Sequence, residues 1–177
     1  LEGRHFVSDA MAAIAVGLEL GVPPEKIQTS LLNFKNLAGR QETFCRFGFT
    51  FIKVCYKAGP ESMEASLHVL GDKKGRKIAV LGDMLELGDV TEQSHREIGA
   101  LCAEKGIDLL LTWGEQARLA ARTAQAAGME AHHFEEKPEL ARYLVATAHR
   151  GDVIWCKASH GMALEEVIAA FYREYHA

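Results

Sequence analysis

Residues 77–99 read KIAVLGDMLELGDVTEQSHREIG, and this stretch decides the fold. The continuous apolar run at 77–81 is typical of a strand that is buried on both faces of a parallel sheet. A loop bounded by two glycines follows at 82–88, and the spacing of apolar residues predicts a helix over 91–105. A buried strand, a short loop and a helix in this order predict one unit of an α/β domain.

The same alternation continues on both sides of this unit. Two β-rich runs around Gly48 predict a hairpin. The predicted strands lie at 42–47, 49–54, 109–112, 131–134 and 153–156, and the predicted helices lie at 61–70, 115–127, 138–149 and 163–175. Repeated βα units require right-handed crossovers, so we predict a Rossmann-like, doubly wound, mostly parallel α/β sheet with an N-terminal β-hairpin.

The N-terminal segment predicts a helical appendage to that domain. Apolar residues recur with helical spacing from Met11 to Leu18, and Pro24 suits the first position of a second helix. The connector at 33–39 has no periodicity, and we interpret it as a hinge. The predicted division of the chain is therefore 1–38 and 39–177.

Composition narrows the class of protein. The 177 residues carry 20 basic and 24 acidic side chains, a net charge of −4 that argues against a nucleic-acid partner. Apolar runs stay shorter than the roughly 18 residues of a membrane span, so we expect no membrane partner. Four cysteines without a CxxC pair predict a reduced, cytoplasmic protein, and histidines without HxxxH spacing predict no metal site. The chain does not start with Met, so we expect a piece of a longer protein.

Ligands of a doubly wound sheet bind at the carboxyl ends of its strands, which points to the loops at 55–60, 82–88, 113–115 and 157–162. Residues 157–162 place Lys157 and Ser159 before a helix, an arrangement that suits a carboxylate or a phosphate. The alternative is an ordinary loop in which Ser159 caps the helix and Lys157 is solvated. Asp83 and Glu86 follow the strand at 77–81, where they either hold a metal or an amino group or cap a turn and face water.

Three further polar residues have to be weighed as functional or structural. Arg40, in the connector, either contacts phosphate when domains close, or it pairs with Glu42 or is solvated. Tyr56 and His95 are interpreted as packing or surface residues. The chain contains neither GxGxxG nor GxxxxGK[ST], so it has no phosphate-binding glycine loop of its own, and a dehydrogenase-type nucleotide binder is disfavoured.

Three segments resemble the Mur ligase family. VLGDMLELG at 80–88, followed by HREIG at 95–99, is similar to the family's VLGDMLELG and HREVG. SMEASL at 62–67 resembles its SMKAAL, and residues 10–17 resemble the helix after its HNxxNALAA motif. The resemblance covers essentially the whole chain. It implies a three-domain parent, of which 1–38 are the last helices and hinge of the central ATPase domain and 39–177 are the C-terminal glutamate-ligase domain.

The resemblance also implies an activity. It predicts an ATP-dependent amide ligase that adds D-alanyl-D-alanine to UDP-N-acetylmuramoyl-tripeptide in peptidoglycan precursor synthesis. Arg40 is the expected catalytic residue. The expected substrate-binding residues are Asp83, Lys157, Ser159 and His160, and the expected ATP-binding residues are His5, Asp9, Arg40 and Tyr56. ATP and Mg²⁺ belong to the full-length parent, so this chain alone is expected to hold neither and to be inactive.

Several positions depart from the family pattern. The family's DDSYNANP corresponds to KVCYKAGP at 53–60, which replaces an acid by Val54 and two asparagines by Lys57 and Gly59. Near the start, Phe6 and Asp9 stand where the family has asparagines. The family's KGSRGM is KASHGM at 157–162. These changes favour an alternative, in which the chain is a decayed ligase domain that acts as a non-catalytic binding module.

Overall fold

The computed structural model describes residues 3–35 and 41–175, with residues 4 and 5 described by their backbone only. Seven helices and six strands form in these ranges. The helices are α1 Arg4–Glu19, α2 Pro24–Leu32, α3 Pro60–Gly71, α4 Thr91–Glu104, α5 Ala117–Ala126, α6 Lys137–Thr147 and α7 Glu165–Tyr175. The strands are β1 Glu42–Arg46, β2 Phe49–Val54, β3 Lys77–Leu81, β4 Leu109–Trp113, β5 Ala131–Phe134 and β6 Val153–Lys157.

The six strands form one sheet in the order β1-β2-β6-β3-β4-β5. β1 and β2 are an antiparallel hairpin with a two-residue turn at Phe47 and Gly48, and the other neighbours are parallel. The predicted fold class is therefore confirmed. Because β6 returns to lie between β2 and β3, the carboxyl ends of these three strands are adjacent, although they are far apart in sequence.

Helices cover both faces of the sheet, which explains the continuous apolar runs. Trp155 of β6 faces the layer of α3, α4 and α5, where it packs in one core with Leu67 and Cys102. The neighbouring Ile154 faces α6 and α7 and shares the other core with Phe171. Since alternate residues of each central strand enter different cores, both sets must be apolar.

Two helices begin two residues later than predicted. The last helix, predicted from 163, begins at Glu165, because His160–Met162 forms a 3₁₀ turn and Ala163 has a left-handed φ of 46°. The helix predicted from 115 begins at Ala117. In both cases the carboxyl end of a strand leads into a shaped loop before the helix starts, and periodicity does not report such loops.

The appendage forms the two predicted helices, and Pro24 is the first residue of α2. Their apolar side chains are unusual because many of them are exposed, namely those of Val7, Met11, Val16, Leu18, Leu20, Leu32 and Phe34. Among the described helices, none has the length and apolar character that crossing a membrane requires. The predicted hinge at 33–39 lies mostly outside the described residues.

Candidate functional site

Three loops meet at the carboxyl edge of the sheet, and they follow β2, β3 and β6. The Gly82 amide donates to the Lys157 carbonyl over 3.1 Å, and the Ser159 amide donates to the Asp83 carbonyl over 3.2 Å. These bonds extend the pairing of β3 and β6 beyond the ends of the strands. The residues predicted from the loops at 82–88 and 157–162 are therefore neighbours in space.

Lys157 connects this pair to the loop after β2. Its side chain is 1% exposed, and Nζ donates to the Lys57 carbonyl over 2.7 Å. The alternative in which Lys157 is solvated is therefore wrong. A buried ammonium requires hydrogen-bond acceptors, and the Lys57 carbonyl supplies one of them.

Ser159 holds the two neighbouring loops together. Its Oγ accepts a hydrogen bond from the Leu85 amide over 2.9 Å, and its side chain caps neither the 3₁₀ turn nor α7. The interpretation as a helix cap is therefore wrong. A hydroxyl that accepts one hydrogen bond still has a proton to donate, so this contact is compatible with ligand binding.

Asp83 is 7% exposed, and its carboxylate is directed to the start of α5. Oδ1 accepts hydrogen bonds from the Gln116 amide over 3.1 Å and from the Ala117 amide over 2.7 Å. A carboxylate there satisfies amides that have no partner inside the helix and lies at the positive end of the helix dipole. Asp83 thus has a structural role as a cap, and its predicted contact with substrate stays a prediction. Glu86 faces water and has a left-handed φ of 65°.

His95 is the residue whose contribution the sequence interpretation missed. It is 2% exposed on the first turns of α4. Its Nε2 lies 3.0 Å from the Met84 amide, and its Nδ1 lies 2.7 Å from the Thr91 carbonyl. An amide only donates and a carbonyl only accepts, so Nδ1 carries the proton and the ring is neutral. The nearness of His95 to the loop at 82–88 in sequence was the available signal.

A cleft of about 1370 Å³ lies between the appendage and the loop after β2. Its wall is mainly apolar, with Phe6, Met11, Ile14, Leu31, Phe34 and Pro60. Asp9, Tyr56 and Lys157, three of the predicted site residues, line it as well. The His160 ring lies 5.7 Å from the Tyr56 ring, and both side chains are exposed. Arg40 and the His5 side chain lie outside the described residues.

The cysteines beside the site are packing residues. Cys55 Sγ lies 3.6 Å from the Cys156 carbonyl, and all four cysteines of the chain are free thiols. Burial, with a smaller contribution from the Glu165 carboxylate, raises the pKa of Cys55 to about 11. Burial also raises the pKa of Cys156 well above its ordinary value. Both thiols are therefore protonated at neutral pH and poorly nucleophilic.

Comparison with known families decides the family. The sequence model of the family described as Mur ligase, glutamate ligase domain, matches residues 39–160. This chain belongs to the Mur ligase family. It is 38% identical over 174 residues to the UDP-N-acetylmuramoyl-tripeptide–D-alanyl-D-alanine ligase of Bacillus subtilis (strain 168), covering 94% of this chain and 37% of that protein.

Solved Mur ligases share the fold. A crystal structure of MurF from Acinetobacter baumannii has a TM-score of 0.88 and 29% identity, covering 98% of this chain and 39% of that one. The MurF ligase from Thermotoga maritima in complex with ADP has a TM-score of 0.76 and 25% identity, covering 92% of this chain and 36% of that one. This chain thus spans less than two fifths of the length of these Mur ligases.

The Mur ligase motif at 80–99 has a packing explanation at two of its glycines. A Cβ on Gly82 would lie 2.8 Å from the Cβ of Ala158, so glycine allows the loops after β3 and β6 to approach. A Cβ on Gly99 would overlap the Ala120 carbonyl, so glycine allows α4 to contact α5. With the cap from Asp83 and the acceptor from His95, this motif builds a loop that is held by hydrogen bonds and close packing.

Most of the departures from the Mur ligase pattern line the cleft, whereas Ala158 and His160 are not among its lining residues. Val54, Lys57 and Gly59 all line it. Tyr56 and the apolar wall suit a nucleoside, and the sequence contains no glycine-rich phosphate-binding motif beside it. No group of three or more metal-ligating side chains occurs within residues 3–35 and 41–175. The described lining therefore suits the flat ring of a nucleotide base.

Proposed function

We propose that this chain is the C-terminal part of an ATP-dependent amide ligase that adds D-alanyl-D-alanine to UDP-N-acetylmuramoyl-tripeptide in peptidoglycan precursor synthesis. Relatives that align with almost the whole chain carry the name of this ligase. The observation that carries the proposal is that the loops after β2, β3 and β6 meet at one edge of the sheet, where Tyr56 and Lys157 also line the cleft.

In the proposed parent, residues 1–38 end the central ATPase domain and 39–177 form the glutamate-ligase domain. The exposure of apolar side chains on α1 and α2 supports this division. Leu32 is 79% exposed and Val7 is 63% exposed, and such side chains are normally covered in a complete domain. The rest of the central domain is the partner that would cover them.

Each site residue has a proposed role in this reaction. A ligase of this class forms an acyl phosphate on the tripeptide carboxylate, and the amine of D-alanyl-D-alanine then displaces phosphate. Arg40 is proposed to stabilise phosphate charge and His5 to bind ATP. Asp9 and Tyr56, which line the cleft, are proposed to contact the nucleotide there. Stabilising this charge is the main catalytic requirement.

The incoming dipeptide is proposed to bind at the loops after β3 and β6. Its carboxylate would accept a hydrogen bond from the Ser159 hydroxyl, whose lone pair is already engaged by the Leu85 amide. The buried ammonium of Lys157 supplies positive charge behind that hydroxyl. His160, exposed beside Tyr56, lies at the entrance, and Asp83 is a further proposed contact.

ATP and Mg²⁺ are proposed cofactors of the full-length ligase, which we place in the cytoplasm. The metal would neutralise phosphate charge, and its ligands would come from residues outside this chain. This chain contributes the Tyr56 side of the nucleotide cleft, which its lining supports.

A phosphate-release assay tests the proposal. The full-length ligase should release phosphate only when ATP, UDP-N-acetylmuramoyl-tripeptide and D-alanyl-D-alanine are all present, and this chain alone should stay at the buffer level. His160→Ala should raise the KM for the dipeptide, whereas His68→Ala, an exposed histidine of α3, should not. Release by this chain alone, or a full-length protein inactive with these substrates, would contradict the proposal.

One observation favours a second function, a decayed domain that binds a partner without catalysis. The replaced positions Val54, Lys57 and Gly59 lie in the cleft rather than on an unrelated surface. Calorimetric titration of the full-length protein with ATP separates the two functions. Micromolar binding would exclude decay, and absence of binding would favour it.

A further inference from the structure

The loop after β3 is held by contacts from three other elements. Asp83 reaches the start of α5, the Met84 amide donates to His95 of α4, and the Leu85 amide donates to Ser159 after β6. Three consecutive residues are thus held from outside the loop. The proposed mechanism gives roles to Asp83 and Ser159. It gives no role to His95.

We infer that His95 is a positioning residue for dipeptide binding, an inference that rests on the proposed ligase function. The two ring hydrogen bonds given for His95 go to Met84 and Thr91, not to the loop that carries Ser159 and His160. It holds the Met84 amide, the next amide along the chain donates to Ser159 Oγ, and this bond orients the hydroxyl that faces the dipeptide. The effect of His95 on binding therefore passes through Met84, Leu85 and Ser159.

The imidazole suits this role because its two nitrogens have opposite functions. The Thr91 carbonyl accepts the Nδ1 proton, which leaves Nε2 unprotonated toward Met84. Both the ring and the Met84 amide are buried, so water does not replace the lost acceptor at low cost. Without it, the backbone at 84–85 must shift to find another partner, and the Leu85 amide shifts with it.

Two substitutions in the full-length ligase separate positioning from general stability. The side-chain oxygen of His95→Gln reaches the place of Nε2 and accepts from Met84, whereas His95→Asn is shorter and keeps only the contact with Thr91. We expect His95→Asn to raise the KM for D-alanyl-D-alanine about tenfold, the cost of one unsatisfied buried amide. The KM values for ATP and for the UDP-tripeptide should stay within about twofold, and His95→Gln should recover most of the loss.

A double-mutant cycle tests the proposed route through Ser159. In the Ser159→Ala background, His95→Asn should change the KM for the dipeptide by less than about threefold, because the hydroxyl that it orients is gone. Additive effects, or a His95→Gln variant as impaired as His95→Asn, would overturn the inference.

If His95→Asn does not fold, hydrogen exchange of the unmodified full-length ligase tests the inference instead. The amides of Met84 and Leu85 should exchange slowly, and those at 86–88 should exchange fast. Equal, fast exchange across the loop would overturn the inference. A ligase that is inactive with these substrates while Met84 stays protected would instead refute the proposed function.

Discussion

The loops at the ends of β3 and β6 and the helices of the appendage are two regions of opposite character. In the loops, the charged side chains of Asp83 and Lys157 are buried and hydrogen-bonded. In the appendage, apolar side chains such as Val7 and Leu32 are exposed. The first region is complete within this chain, because each polar group named there has its partner. The second exposes apolar side chains to solvent, which supports the proposal that α1 and α2 belong to a larger central domain.

Two methionines give the largest expected difference between the regions. Met63→Ala, at a position of α3 that is 1% exposed, should lower the free energy of unfolding by about 2–5 kcal/mol through loss of burial and a cavity. Met11→Ala, at a position of α1 that is 60% exposed, should change it by less than about 0.5 kcal/mol. Urea unfolding of this chain measures both. A comparable loss at Met11 would mean that α1 is already packed.

Gly99→Ala sharpens the comparison at the contact of α4 with α5. The added methyl overlaps the Ala120 carbonyl, and backbone cannot rotate away as a side chain can. We expect a loss of about 1–3 kcal/mol in urea unfolding. Gly59→Ala is the control, because its methyl meets no heavy atom within 4 Å and its φ of −148° is extended. Equal losses at both glycines would show that close packing is not the cause.

Asp83→Ala tests the cap of α5. It leaves the Gln116 and Ala117 amides without their acceptor and should cost about 1–2 kcal/mol of unfolding free energy. Asp83→Asn keeps an acceptor oxygen and should recover part of that loss. Asp89→Ala, at an exposed aspartate, should be nearly neutral. An Asp83→Ala chain as stable as the Asp89→Ala chain would show that the cap contributes nothing.

His133 gives the smallest effect, a dependence of stability on pH. Burial, followed by the nearby Arg118 charge, lowers the pKa of His133 below its ordinary 6.5. The unfolded chain therefore binds a proton before the folded one does. The stability contribution is present above about pH 6.5 and is lost as the pH falls through the folded-state pKa.

Thermal unfolding at several pH values measures this effect. The Tm of the unmodified chain should fall more between about pH 7.5 and about pH 5 than that of His133→Asn, whose amide keeps a partner for the Thr112 hydroxyl. An identical fall in the two proteins would exclude His133 as a source of acid sensitivity.

Most of the fold could be predicted because its signals are local. The strands at 77–81 and 131–134 have the predicted bounds, since a run buried on both faces is visible in a few consecutive residues. The hairpin at Gly48 and the helix start at Pro24 are equally local. The start of α7 was predicted two residues early because the left-handed Ala163 has no signature in periodicity.

The sequence predicted which loops form the site, but it did not predict the hydrogen-bond partners of their side chains. The rule that ligands bind at strand ends selected four loops, and two of them, at 82–88 and 157–162, lie together. The partners of Asp83 and Ser159 could not be predicted, since Leu85 and Ser159 are 74 positions apart. Even His95, close to Met84 in sequence, has no pattern that separates a buried acceptor from a surface side chain.

The sequence by itself determined the alternation of strands and helices, the hairpin and the resemblance to a ligase family, because short-range patterns encode them. Only the tertiary structure decided that β6 lies between β2 and β3 and that Asp83, His95 and Ser159 hold one loop. The physical reason is that a hydrogen bond depends on positions within a few ångströms, and the packing of the whole sheet sets these positions.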